Sequence, residues 1–287
     1  MENIINYFET IPSSHRTFLL VGGLTFFWVL EYLIPLFTFS YTKWKHARTN
    51  LFLTLTTVLV NLPLAFILVK ASDWVVAQEF GLLYLAELPL WAFVLLGILL
   101  MDLIGAYFIH WLEHQVKWMW QFHLVHHTDR HVDTTSANRH HPGESVLRFV
   151  FTLFAVFIVG APIWMVMMYQ SLSVVLTQFN HSNVALPLPV DRVLGWVFCT
   201  PGIHRVHHHE QQPLTDCNYG NIFSFWDRLF GTYRAVDNRS LRYGLDTHPD
   251  PKESDDIWTI LKLPFQPYRQ APRKSVGAAE HVEKSRV

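Results

Sequence analysis

Residues 89–114 read PLWAFVLLGILLMDLIGAYFIHWLEH. The run from Pro89 to Ile109 is apolar and almost free of charge. At about 1.5 Å per residue it is long enough to cross a hydrocarbon layer of about 30 Å. It passes without a break into His110-x-x-x-His114. Two histidines four apart on a helix share one face. A membrane-crossing helix that ends in paired imidazoles sets the reading of the rest.

Further apolar stretches lie on either side. Thr17–Phe39 and Leu51–Val69 each predict a span. Leu147–Phe179 predicts a fourth membrane element, broken by Gly160-Ala161-Pro162 into a hairpin or a re-entrant kink. Its about 33 residues leave room for two short helices but not for two full crossings. The composition agrees: 51% hydrophobic, 15% aromatic and 16% charged, against about 25% charged in soluble domains. Three long runs with so little charge argue against the core helices of a soluble protein. The net charge of −1 offers nothing to nucleic acid. Cys199 and Cys217 form neither a disulfide framework nor a zinc-ribbon spacing.

The fold expected is all-α: a polytopic membrane helical bundle carrying a cytoplasmic histidine-rich helical cap. Residues 1–16 are a polar N-terminus without the features of a removed signal peptide. Transmembrane helices occupy 17–109. The histidine-box region covers 110–269 and includes the hairpin at about 147–179. Residues 270–287 read as a disordered, charged tail. Lys43-Trp44-Lys45-His46-Ala47-Arg48 is basic, whereas the next loop carries Asp73, Glu79 and Glu87 against Lys70. The positive-inside rule then puts the N-terminus outside, and the histidines and C-terminus in the cytoplasm.

There are 17 histidines, and 13 fall between His110 and His209. His123-Leu-Val-His126-His127 and His204-Arg-Val-His207-His208 repeat one spacing. Offsets of three and four place each group on one helical face. Together with His110 and His114 this makes eight imidazoles, too many for one ion, so the pattern predicts two metals. Imidazole suits iron, zinc, copper and nickel. An open position on a redox-capable ion is what dioxygen needs, and zinc has no such use for it. Two other functions are compatible with parts of the pattern. His110-Trp-Leu-Glu113-His114 fits the H-x-x-E-H of a membrane zinc protease, with Glu113 as base, but leaves both H-x-x-H-H groups unused. A non-enzymatic metal carrier would place ligands at mid-membrane on broken helices, whereas these lie past a span end beside Lys117 and Trp118. His15, His46, His131, His248 and His281 read as ordinary surface or core histidines.

These boxes resemble those of the fatty acid hydroxylase and sterol desaturase superfamily. So do Arg139-His140-His141-Pro142, the Asn180-His181 pair, and the closing segment Asn218-Tyr219-Gly220 with Trp226-Asp227-Arg228-Leu229-Phe230-Gly231-Thr232-Tyr233. The resemblance covers roughly residues 90–235, about half of the chain. It implies a cytoplasm-facing di-iron site, O2 as co-substrate, a membrane lipid substrate, and two electrons from a separate cytochrome-type or ferredoxin/reductase-type donor. It implies His110, His114, His123, His126, His127, His204, His207 and His208 as ligands, with His181 as a further one. His141 falls in the shell around the metals or in the substrate channel, and so does Asn218 of the closing segment. Thr177 and Ala185 stand where some members carry another histidine. The membrane implied is the inner membrane of a bacterium or the endoplasmic reticulum of a eukaryote. His141-Pro142-Gly143-Glu144 is similar to a cytochrome haem loop, but imperfectly, and no soluble domain surrounds it.

Glu113, Asp129, Asp133, Glu144, Glu210, Asp216 and Asp227 are available to orient imidazoles through the second ring nitrogen, although each alone reads as solvated charge. Asp227 reads as a residue that fixes Arg228 or a backbone turn. A lipid tail needs an apolar slot. Leu100, Met101, Ile104, Tyr107, Phe108, Phe151, Phe154 and Phe179 are candidates for its walls, and Gly105 with Ala106 for its opening. Hydroxylation and desaturation share a first hydrogen removal, and the residues do not separate them.

Overall fold

The computed structural model describes residues 2–271. The expected disorder of Gln270–Val287 therefore concerns residues that, from 272 on, lie outside those described, as does His281. The described chain is helical, with isolated bridging pairs and no strand among the described residues. Among the described residues, four segments are long and apolar enough to cross a membrane: Ser13–Leu33, Lys43–Tyr84, Leu90–Gln115 and Pro142–Val159.

The polar N-terminus is not irregular: α1 (Glu2–Glu9) is a helix that lies against α8. Helix α2 (Ser13–Leu33) stops short of the expected Phe39. Pro35 lacks an N–H and disfavours helical geometry in Ile34, so the apolar run continues but the helix does not. Helix α3 (Lys43–Ala77) exceeds the expected Leu51–Val69 at both ends. Hydropathy marks only the lipid-facing length, while the backbone ladder continues for about 52 Å. Helix α4 (Leu90–Asp102) passes through a π-helical turn, Leu103–Phe108, into α5 (Ile109–Gln115). Helix α6 (Lys117–His127) follows.

The hairpin is longer than its apolar residues suggest. Helix α7 starts at Pro142 and runs to Val159. Helix α8 spans Ile163–His181. These are about 27 and 28 Å long, not two short helices. Pro142-Gly143-Glu144-Ser145 looks like a loop, yet Pro at the first helical position and His141 as N-cap start a helix there. Gly160 reverses the chain at φ +80, where a Cβ would be strained. The tip reaches the far part of α3, where Ser72 Oγ donates to the Ala161 carbonyl at 3.0 Å.

Alternate helices run antiparallel, so Glu31, Lys43, His110, Glu144 and His181 gather at one end. The base is packed by Leu68, Ala71, Val75, Met101, Val156, Val159 and Met165. Outward faces are apolar, with Phe18, Leu33, Leu59 and Phe66 exposed. The buried polar groups concentrate in the cap, among them Asn50, Asp129, Arg139 and Arg205. Apolar surface outside and hydrogen-bonded polar groups inside is the arrangement a lipid solvent selects.

Candidate metal centre

Four elements deliver the histidines. His110 and His114 sit on α5, and His123, His126 and His127 on α6. His181 ends α8. After the short helix α9 (Leu188–Leu194), α10 (Pro201–His207) carries His204 and His207, with His208 directly following. Pro201 stands at the start of α10, where its missing N–H costs nothing.

The nine histidines form two nests. His110, His114, His123, His127 and His207 point one nitrogen each into the first, and His126, His181, His204 and His208 into the second. Within each nest these atoms lie within 4.8 Å of one another. The two H-x-x-H-H groups interdigitate rather than serving one nest each. The His127 and His207 rings are 4.5 Å apart, and those of His126 and His208 4.6 Å. A shared helical face therefore splits its last two histidines between adjoining nests.

In five of the nine, a hydrogen bond at Nδ1 decides which nitrogen faces inward. His110 Nδ1 donates to the Tyr219 carbonyl at 2.8 Å, and His207 Nδ1 to the Cys217 carbonyl at 2.7 Å. His181 Nδ1 donates to the Thr177 carbonyl at 2.9 Å and Asn180 Oδ1 at 2.6 Å. His123 Nδ1 donates to Glu144 Oε1 at 2.8 Å, and His114 Nδ1 to Asp216 Oδ1 at 3.0 Å. With Nδ1 carrying the proton, Nε2 of each ring presents a lone pair to the nest. His123 Nε2 lies 3.1 Å from His110 Nε2 and 3.2 Å from His127 Nε2. His181 Nε2 lies 3.1 Å from both His126 and His204 Nε2 and 3.3 Å from His208 Nε2. The buried Nε2 atoms of His114 and His207 have no hydrogen-bond partner. Converging buried lone pairs repel one another and lack donors, and a cation satisfies them together. Burial also keeps the rings neutral, the form a metal requires. It lowers His123 to about 3 and holds His126, His127, His204, His207 and His208 well below the usual histidine range. The donor set and its tautomers fit two metal ions.

The surrounding carboxylates divide by role. Glu144 and Asp216 orient ligand-type imidazoles directly. Glu113 does not reach into a nest; its Oε2 accepts from Arg148 Nη2 at 2.6 Å, and Arg148 Nε donates to Glu144 Oε1 at 2.9 Å. Asp129 and Asp133 hold His46 rather than a nest histidine. Asp227 accepts from the Tyr219 and Gly220 amides at 2.7 and 2.9 Å, so it fixes the backbone turn, while Arg228 donates to Ser224. Burial pushes the Asp227 carboxyl up to about 6. Asn218, at φ 51, donates to the Ile203 and Arg234 carbonyls and pins the start of α10 to the closing segment. Neither Asn218 nor Asp227 faces a nest.

His141, expected in the shell around the metals or in the channel, caps a helix instead. Its Nδ1 caps α7 by accepting the Gly143 amide at 3.0 Å, and its Nε2 lies 3.3 Å from the Leu261 carbonyl. His140, given no role from sequence, lies at the site: its Nδ1 is 2.8 Å from Glu144 Oε1 and its ring stacks on His126 at 4.9 Å. The signal was Pro142, which makes residue 141 an N-cap and turns its neighbour inward. Asp102 was also missed. It lies inside the third apolar run, fully buried, and accepts from Trp226 Nε1 at 3.0 Å. Gly105 lies in the π turn, where an added Cβ would stand 3.7 Å from Ala155 and 3.9 Å from Thr152 and the Tyr169 hydroxyl. Met101 and Tyr107, read as slot walls, are buried packing residues.

Residues 94–232 match the model of the family described as fatty acid hydroxylase. Over that region, just under half of its length, the chain is similar to the fatty acid hydroxylase family. It is 33% identical to human alkylglycerol monooxygenase over 153 residues, 50% of this chain and 31% of the relative. It is 27% identical to the ornithine lipid hydroxylase OlsE of Rhizobium tropici over 141 residues, 49% of this chain and 41% of the relative. A putative methylsterol monooxygenase of Dictyostelium discoideum is 24% identical over 195 residues, covering 65% of this chain and 69% of the relative. The chain spans about a third of the length of the alkylglycerol monooxygenases it matches. No solved structure matches.

Proposed function

We propose that the chain is a membrane lipid hydroxylase that holds two iron ions, one in each nest, and inserts one oxygen atom of O2 into a lipid C–H bond. The observation that carries this is the tautomer pattern: five histidines give Nδ1–H to fixed acceptors and turn Nε2 inward. A redox-active metal pair, when bound, supplies the O2 activation that attack on an unactivated C–H bond requires. The protein's own part is orientation and exclusion. Glu144, Asp216 and three backbone carbonyls aim the rings, and the nests are sealed from water by burial. Hydroxylation is favoured over desaturation because the relatives carry monooxygenase and hydroxylase names. Glu113, ion-paired to Arg148, is poorly placed for the base of a zinc protease. The two electrons come from a separate donor.

The substrate is a membrane lipid. His110 directly continues a membrane-crossing rod, so a tail in the bilayer stays in an apolar path up to the nests. The basic loop residues Lys45 and Arg48 lie at the same end of the bundle as the histidines, which supports a cytoplasm-facing site. The test is to purify the full chain in lipid nanodiscs, measure its iron, and follow O2 uptake with a reductase system and a total lipid extract. Iron-dependent uptake with a hydroxylated lipid product is expected. Zinc as the bound metal, or turnover of peptide with no O2 uptake, overturns the reading.

A further inference from the structure

Arg139 and Arg148 both lie near the nests, and they are used differently. Arg139 is sealed: Nε donates to the Val125 carbonyl, Nη1 to Asn50 Oδ1, and Nη2 to Thr128 Oγ1 and the Ser254 carbonyl. It is 0% exposed, and every nitrogen has work inside the fold. Arg148 lies one turn further along α7 than Glu144, about 9 Å from Pro142, on the bilayer side of the nests. Its Nε and Nη2 hold Glu144 and Glu113, both fully buried. Yet its own side chain remains 27% accessible, and no hydrogen bond among the described residues engages Nη1.

An accessible guanidinium on a membrane-crossing helix is expensive. Neutralising Glu113 and Glu144 accounts for two nitrogens but not for an opening toward the third. Arg148 borders the seam where α7 packs on the π turn. Phe151 and Thr152 continue the Arg148 stripe of α7. Phe108 of the π turn faces them, with the Phe108 and Phe151 rings 6.4 Å apart. Gly105, partly accessible, lies deeper along the same seam beside Thr152. Arg148 Nη2 is itself 3.5 Å from Nδ1 of His123, whose Nε2 enters the first nest. A lipid entering along this seam would meet Arg148 immediately before the nests.

Resting on the hydroxylase reading above, we propose that Arg148 Nη1 is the hydrogen-bond donor that reads a neutral oxygen of the lipid, a hydroxyl, ether or carbonyl, close to the carbon to be oxidised. Two carboxylates already face this one guanidinium, so a further anion meets repulsion from Glu113 and Glu144 while a neutral acceptor does not. In a low-dielectric seam a charged donor makes a strong bond to such an oxygen. A bare hydrocarbon chain would leave the donor unsatisfied and be rejected. Arg148 is thus a specificity residue, and its ion pairs with Glu113 and Glu144 hold the donor in place.

The test measures binding, separately from turnover. The metal-loaded full chain in nanodiscs is titrated with 1-O-hexadecylglycerol and with an alkane of equal length, each displacing a brominated long-chain alcohol that quenches tryptophan. The wild type is expected to bind the glyceryl ether about tenfold more tightly at equal mole fraction. Arg148→Lys, which keeps the charge but shortens the fork, should retain its metal and lose most of that preference. Equal binding by the wild type, or an unchanged preference in Arg148→Lys, overturns the proposal. Should the variant lose its metal, labelling of the wild type decides. A glyceryl ether with a diazirine beside its ether oxygen should label residues 108–112 and 148–152, and adducts confined to other segments overturn it. A glyceryl-ether preference in the wild type that Arg148→Lys loses, with no O2 uptake by the wild type, would leave this site standing and remove the hydroxylase reading.

Discussion

The Tyr219 carbonyl accepts the Nδ1–H of His110 at 2.8 Å, across 109 residues of sequence. The Tyr219 amide, on the same residue, donates to Asp227 Oδ1 at 2.7 Å. A buried carboxylate in the closing segment therefore sets the ring of a histidine on α5. Asp227→Ala removes the acceptor for two amides and for Thr232 Oγ1. It should cost about 3 kcal/mol of stability and reduce metal content, read by thermal unfolding and metal analysis on one preparation.

The same residue gives a pH signature. Burial raises the folded-state Asp227 carboxyl to about 6, above about 3.9 in an unfolded chain. The folded state then holds the proton more tightly. Relative to Asp227→Asn, wild-type stability should be greatest below pH about 4, fall as pH rises to about 6, and stay level above that. A difference that grows with pH across this window would show that the carboxylate is stabilised as an anion.

Asp216 offers a test at the first nest alone. Its side chain is 30% exposed, so Asp216→Asn should fold normally. The variant weakens the acceptor for His114 Nδ1 and should lower metal affinity in the first nest by about ten- to a hundredfold. The second nest should keep its ion. Stepwise chelation, followed by metal analysis, is expected to remove one ion well before the other. Simultaneous loss of both would show that the nests act as one unit.

The histidine boxes were legible because offsets of three and four carry their own geometry. The divided use of each H-x-x-H-H group was not, since it depends on how α6 and α10 face each other. Glu31 and Asp102 were illegible for a related reason. A single carboxylate inside an apolar run looks like an interruption, and its partners, such as Asn183 and Trp226, lie more than 100 residues away. The helix ends of α3 and α7 were missed because apolar length measures contact with lipid rather than backbone hydrogen bonding. His141 was assigned by its neighbours in sequence, where the start of α7 decides otherwise.

Gly105 tests the slot. The nearest atom to an added Cβ there is the Ala155 Cβ at 3.7 Å, an ordinary contact. Gly105→Ala should therefore be tolerated. Gly105→Leu should reduce turnover of long-chain lipid at least tenfold with metal content unchanged, because the larger side chain fills the seam between the π turn and α7. Full activity in Gly105→Leu would place the entrance elsewhere, and loss of metal would make Gly105 a packing residue.

Orientation is open to labelling. Lys45 is exposed at the histidine end of the bundle, and Gln78 is exposed beyond α3 at the other. Single cysteines at these two positions should react with an impermeant reagent from opposite faces of sealed vesicles, with position 45 on the cytoplasmic side. Labelling of both from one face would show that α3 does not cross the membrane.

Glu31 and Lys43 are a buried ion pair joining α2 to α3. Glu31 Oε1 also accepts the amides of Thr134 and Asn183, each at 2.7 Å. Asn183 lies two residues past His181, so this carboxylate helps fix the end of α8 and with it the second nest. Lys43 Nζ sits among the rings of Trp28, Tyr32 and Phe39 at 4.5, 4.7 and 4.6 Å. Those rings partly compensate the cation on their own. Removing the carboxylate leaves a buried cation and two unpaired amides, and breaking a buried pair in this way costs about 3–5 kcal/mol. Glu31→Ala should therefore destabilise strongly and loosen metal in the second nest before the first. Glu31→Gln keeps an acceptor for the amides and should cost less. Lys43→Met in the Glu31→Gln background should recover part of the loss, because it removes the cation left without its partner. Additive losses in that double variant, measured by denaturant unfolding in detergent, would show that the two residues act independently and that the aromatic rings alone hold Lys43.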